Sequence, residues 1–338
     1  MNVPRGTPVA NPPLANPPDY RRPPRNTAVD AIKGVAIICV ILVHTLPAQL
    51  LARHYRLYWI AQAVPVFIVL MGYVGATSRV NPLKDYAWRR LLRLGPPLAL
   101  TWLVSYGIYL ARGGTGLGTD VFLGALPATG PGNYFIPVLV QFAIVLPLLR
   151  PVYRRSPLLL LIGAAVVNVA FEIVAKRYGL SDLAYTNCVL RYLFGICLGM
   201  WMAADGRVWP LLFISVPYLW LQSRGSRIFL FYDHWQSQSL FAFGYTAAIV
   251  GLGLRVGGGS PRWLTHLGRA SLHIFLVQIL WFGQFVLFSK AMRELPLAVV
   301  CLVNVSVCVT LGILFYSAES AVTKRLSLAS SSDRLSAK

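Results

Sequence analysis

Long apolar runs, separated by short polar, basic or proline-bearing segments, repeat along almost the whole chain. A helix needs about 20 residues to cross the hydrocarbon core of a bilayer. On that measure the runs predict ten transmembrane spans, at 31–50, 55–78, 94–111, 132–149, 157–175, 187–204, 209–222, 236–254, 271–289 and 296–317. The seventh is the weakest pattern: LLFISVPYLWL holds Pro217 and reads as a short or kinked helix. If it does not cross, every later loop changes side. The expected fold class is all-α, a polytopic transmembrane helical bundle of about ten spans. No internal repeat interrupts the series.

Residues 1–28 break the pattern, with eight prolines, four arginines and little to bury, and read as a disordered basic tail. The expected division is therefore this tail, a transmembrane domain at 29–320 and a cytoplasmic C-terminal tail at 321–338. A cleaved signal peptide is the rival for the first apolar run. Lys33 and His44 interrupt that run and the tail before it is long, so an uncleaved span is expected.

The basic residues test the layout. With the N-terminus inside, 21 of the 31 Lys and Arg fall on cytoplasmic segments and nine on the opposite face, with Arg191 inside a span. This asymmetry places both termini in the cytoplasm and requires an even number of spans, in a multi-pass protein of the plasma membrane.

Composition agrees. The chain is 56% hydrophobic and 12% charged, with a mean hydropathy of +0.60, which excludes an ordinary soluble globule. A net charge of +20 would suggest nucleic-acid binding in a soluble protein. Here the charges sit in short clusters between apolar runs, so no nucleic-acid partner is expected and the bilayer is the main one. Cys39, Cys188, Cys197, Cys301 and Cys308 lie in apolar stretches without metal-ligand spacing and read as buried hydrophobes.

Polar residues at membrane depth carry the candidate chemistry, because burying them in hydrocarbon costs free energy unless they face partners or a cavity. On the first span, helical geometry puts Asp30, Lys33 and His44 on one face. His44 stands about 16 Å from Lys33 along the axis, too far for a hydrogen bond. Lys33 and Asp30 belong to the cytoplasmic mouth and His44 to the outer half. An imidazole there suits proton transfer, or else bridges two helices structurally.

Arg89, Arg90 and Arg93 cluster at the cytoplasmic start of the third span. They serve as topology charges or as ligands for a phosphate group. Gln141 is near mid-membrane in the fourth span, with Asn133 and Tyr134 at its outer rim. Asn168 and Glu172 share a face of the fifth, Glu172 close to the outer interface. Ser271, His273 and Gln278 lie on the ninth. Gln278 needs partners, for which Gln141 and His44 are candidates, and His273 suits an interfacial anchor as well as a catalytic group.

The chain resembles the acyltransferase 3 family of membrane acyltransferases in a series of segments. They are Asp30-Ala31-Ile32-Lys33-Gly34 with His44, Met71-Gly72-Tyr73, Trp88-Arg89-Arg90-Leu91-Leu92-Arg93-Leu94-Gly95-Pro96, and Tyr134-Phe135-Ile136-Pro137 with Gln141-Phe142 and Pro147. Gly195 and Gly199 follow, then Leu267-Gly268-Arg269-Ala270-Ser271-Leu272 and Phe275-Leu276-Val277-Gln278. The resemblance implies transfer of an acyl group, often acetyl, to a hydroxyl of a sugar, a cell-surface polymer or a secondary metabolite. It makes His44 the match for the family's essential histidine and Lys33 the match for a position that is usually arginine. Arg90 and Arg93 match an arginine pair thought to meet the donor. Gln278 departs from the pattern, since the family's last motif typically ends in histidine. No hydrolase-like extracytoplasmic domain follows the tenth span, so the chain is expected to act alone or with a separate partner.

Together these readings give an acyl-CoA co-substrate, expected to be acetyl-CoA, no tightly bound cofactor and no metal. Arg89, Arg90, Arg93 and Asp30 would hold the donor, while Asn133, Tyr134 and Glu172 face the acceptor. His44 would deprotonate the acceptor or become acylated itself, with Lys33 on its helix face and Gln141 and Gln278 as oxyanion donors. A multi-pass transporter or exporter is the rival from another class, and a scaffold the second.

Overall fold

Asn26 sets the start of the first helix. Its side-chain oxygen accepts from the backbone N–H of Ala28 at 3.0 Å and of Val29 at 3.3 Å, satisfying amides that have no partner inside the helix. The computed structural model describes residues 26–53, 58–78, 83–116, 121, 126–127, 130–204, 206–224, 238–285 and 294–336. The tail expected at 1–28 lies almost wholly outside the described residues.

From that cap, α1 runs Thr27–Thr45 and stops just before Pro47, followed by the short α2 (Ala48–Arg53). The next elements are α3 (Tyr58–Ala61), α4 (Ala63–Thr77), α5 (Leu83–Ala111), α6 (Phe135–Arg155), α7 (Pro157–Arg177) and α8 (Asp182–Thr186). A 3-10 turn at Val189–Tyr192 leads into α9 (Leu193–Met202), and α10 (Leu212–Ser223) and α11 (Phe243–Val256) follow. Finally, α12 (Arg262–Leu280) continues into one π-helical turn at Trp281–Phe285, and α13 runs Leu297–Ser336. No strand occurs among the described residues.

Each predicted span contains helix, but the bounds differ for physical reasons. The second divides at buried Gln62, whose side-chain oxygen accepts from Thr246 at 2.6 Å. The third begins at Leu83, so Arg90 and Arg93 stand on the helix itself rather than before it. The ninth begins at Arg262, and the last continues through the segment expected to be a tail from 321.

Among the described residues, six helical stretches are long and apolar enough to cross a membrane: Thr27–Thr45, Tyr86–Ala111, Phe135–Arg155, Pro157–Arg177, Leu240–Gly259 and Leu297–Arg325. This is a multi-pass membrane protein. α4 and α9 are apolar but shorter. α10, the weak seventh span, has 12 residues with Pro217 inside. α12 is long enough but carries Arg262, His266, Arg269, His273 and Gln278, which lower its hydropathy.

Apolar side chains cover the outside as well as the core. Phe213 is 85% exposed, and Ile144, Leu148, Leu159 and Leu302 also face outward, while Gln278, Asn168, Thr246 and Asn304 are buried. Lipid is as good a solvent for leucine as a protein core is, so polar side chains turn inward to find hydrogen bonds. Asn304 shows the result: it accepts from the indole of Trp281 at 3.0 Å and donates to Thr45 at 3.3 Å, joining α1, the π turn and α13.

Two close helix crossings build the frame, each with a glycine on both sides. A Cβ on Gly268 of α12 would stand 1.7 Å from the carbonyl oxygen of Asp30, and one on Gly34 of α1 would stand 2.3 Å from that of Leu264. The α4–α9 crossing repeats the device, with Gly72 against Ile196 at 1.8 Å and Gly199 against Val69 at 1.9 Å. Small residues let the backbones approach where no hydrophobic effect draws helices together. Arg150, counted above among the topology charges, is buried instead. It donates to the carbonyls of Gly75 and Ser78 and to the Ser78 hydroxyl, so it caps the C-terminal end of α4.

Candidate active site

Lys33, Arg90 and Arg93 come together in one cavity of about 150 Å³. Lys33 reaches it from α1. Arg90 and Arg93, three positions apart, reach it from one face of α5. Arg90 also lies over the Tyr86 ring, 5.4 Å from its centroid. The rest of the wall is mostly apolar and includes Met71 of α4, Phe135 of α6 and Phe275 of α12. Three cations beside an apolar wall have the chemistry to suit a multiply charged anion with an apolar extension. The side chain of Arg89 lies outside the described residues.

His44 occupies the other end of α1, in its last turn. Its ring tilts toward that of Phe282, with centroids 6.1 Å apart. The turn Gly130-Pro131-Gly132-Asn133 lies alongside: Nε2 of His44 is 3.8 Å from the point a Cβ on Gly132 would occupy. Gly132 has φ of +89°, a left-handed conformation that favours glycine. Two side chains hold this turn. Gln278 donates to the carbonyl of Pro131 at 3.2 Å, and Asn133 pairs with the backbone of Leu126, accepting at 3.0 Å and donating at 3.3 Å.

Other residues singled out above have different neighbours. The Asp30 carboxylate is buried 3.6 Å from Nε of Arg269, an ion pair between α1 and α12, and Asp30 does not line the cavity. Gln141 donates to the carbonyl of Asn187 at 2.7 Å and accepts from the N–H of Val189 at 2.9 Å. It ties α6 to the entry of α9, and its amide is engaged at both ends.

Tyr134 stacks on Tyr192 at 6.4 Å and accepts from Gln238 at 3.0 Å. Glu172 is buried, and both its oxygens accept from the Tyr185 hydroxyl at 2.8 Å. The Arg191 guanidinium lies over the Tyr185 ring at 4.3 Å and near that of Tyr192 at 5.3 Å. Burial raises the Tyr185 phenol well above its ordinary range, against the pull of Arg191, so it stays a hydrogen-bond donor. Asn168 adds hydrogen bonds to the carbonyls of Leu190 and Arg191.

Sequence reasoning missed this cluster, although a lone arginine inside an apolar run was its signal. It also missed the partner of His273, which is buried and pairs with Glu319 of α13. Among the described residues no group of three or more His, Cys, Asp or Glu is placed to hold a metal ion.

The Acyl_transf_3 family, described as an acyltransferase domain, matches residues 26–315. The chain belongs to this family. No curated protein and no solved structure matches it. The matched acyltransferase domain begins at the Asn26 cap and takes in the cavity, the His44 turn and α13 as far as residue 315. As a member, the chain is an acyltransferase moving groups other than amino-acyl groups, built as a multi-pass membrane protein.

Proposed function

We propose that this acyltransferase moves an acyl group, expected to be acetyl, from cytoplasmic acyl-CoA to a hydroxyl of a glycan, cell-surface polymer or secondary metabolite. The observation that carries this reading is the shared cavity of Lys33, Arg90 and Arg93, whose wall at Phe275 lies against the turn beside His44. In this reading both termini lie in the cytoplasm of a plasma-membrane protein, so the cationic end of the cavity faces the donor.

The phosphates of the donor bind the three cations, and the thioester end extends toward Phe135 and Phe275. An acceptor hydroxyl approaches His44, near Asn133 and Tyr134. The imidazole takes its proton as the oxygen attacks the thioester carbonyl carbon. Collapse of the tetrahedral intermediate breaks the carbon–sulfur bond, and the CoA thiolate leaves and recovers the proton. Gln278 acts on this step as a positioning residue, through the turn it holds. Asp30 serves the α1–α12 interface, and Gln141 the α6–α9 junction.

Kinetics in membranes test the donor assignment. Arg90→Ala and Arg93→Ala each remove a charge-assisted hydrogen-bond donor, a loss of about 1.5–3 kcal/mol. Each variant is expected to raise KM for acyl-CoA about tenfold or more, with a smaller change for the acceptor. An unchanged donor KM in both would return these arginines to a topological role.

A further inference from the structure

Phe275 belongs to two surroundings at once. Its side chain lines the cavity that holds Lys33, Arg90 and Arg93. Its Cζ also lies 3.3 Å from the point where a Cβ on Gly132 would stand, and Nε2 of His44 lies 3.8 Å from that same point. The phenyl ring and the imidazole therefore flank the same glycine, the ring so closely that a Cβ there would press on it. Glycine at 132 puts no side chain between them.

The ring has little freedom to retreat. It is 4% exposed and packs edge-on against Phe135, with centroids 5.2 Å apart at 69°. The backbone beside it is pressed from outside, since a Cβ on Gly312 of α13 would stand 2.5 Å from Cα of Ile274. A close-packed aromatic on a pinned backbone resists displacement by a longer chain.

We propose that Phe275 sets the length of the transferred acyl group: it is the end wall of the donor cavity, admitting acetyl to the His44 corner and excluding acyl chains of about four carbons or more. This rests on the acyl-CoA reading above. The substrate class is short-chain acyl thioesters, and the selecting contact is the Phe275 ring.

The full chain in lipid nanodiscs is titrated with acetyl-, butyryl- and hexanoyl-CoA by calorimetry. Hexanoyl-CoA is expected to bind at least about tenfold more weakly than acetyl-CoA, the scale of a misfit methylene or more in a pocket. Phe275→Ala should narrow that ratio to about threefold or less, and Phe275→Leu, which keeps an apolar side chain for folding, should narrow it part-way. Equal binding of acetyl- and hexanoyl-CoA by the unaltered chain overturns the proposal without any variant, as does full discrimination kept in Phe275→Ala or Phe275→Leu. Failure of the unaltered chain to bind any of the three thioesters overturns the donor reading itself, and the length proposal with it.

Discussion

Gln278 and Pro131 are joined by a hydrogen bond of 3.2 Å from side-chain amide to backbone carbonyl, so α12 holds the turn that lies beside His44. The other end of the same amide, Oε1, is buried with no hydrogen-bond partner among the described residues. A buried acceptor left unpaired costs about 1–3 kcal/mol, more than one hydrogen bond returns.

Gln278→Leu should therefore keep or raise the melting temperature and lower the transfer rate about 10- to 100-fold, the separation expected of a residue that positions a site at some cost in stability. A parallel fall in both, or an unchanged rate, would show that Gln278 does not act through the turn.

The glycine crossings make a second prediction, with an internal control. Gly268→Ala and Gly72→Ala each drive a Cβ to within 2 Å of a backbone oxygen. The helices must part, at a cost of about 3 kcal/mol or more, and the monodisperse peak in size-exclusion chromatography should be lost. Gly107→Ala and Gly163→Ala add a Cβ with nothing within 4 Å, and should be neutral or stabilise by up to about 1 kcal/mol.

The Glu172, Tyr185 and Arg191 cluster is predicted to act on stability rather than turnover. Tyr185→Phe removes a hydroxyl shared by both carboxylate oxygens. The expected loss is about 1.5–3 kcal/mol, with the rate per folded molecule changed less than about twofold. Glu172→Gln, which keeps an acceptor, should destabilise less than Glu172→Ala. A large rate loss without destabilisation would instead put this cluster at the acceptor.

Much of this was legible in the sequence because lipid imposes simple rules. The apolar runs placed the main helices, Lys33 stood out as a cation inside an apolar run, and Arg90 and Arg93 as part of three arginines within five positions. Pairings between distant elements were less legible. Helical geometry put Asp30 on the Lys33 face, but nothing local reveals that Arg269, 239 positions along the chain, pairs with it. Gln141 looked like a mid-membrane catalytic amide because nothing local reveals that the chain at Asn187 and Val189 returns to it. Arg150 was indistinguishable from the flanking topology charges Arg154 and Arg155 until the end of α4 was seen to need a cap. Glu319 fell in a presumed tail boundary, so its pairing with His273 left no local trace.

The most direct test of the central claim is acyl transfer with and without the His44 imidazole. Membranes containing the unaltered chain or His44→Ala are given acetyl-CoA and a mixture of glycan and small-metabolite hydroxyl acceptors, and products are weighed by mass spectrometry. The predicted result is an added acyl mass on a hydroxyl with the unaltered chain, and a rate at least about 100-fold lower for a His44→Ala protein that still folds, the scale of losing a general base. Folded His44→Ala that transfers at the normal rate, or movement of the acceptor across the membrane with no change in mass, would contradict it.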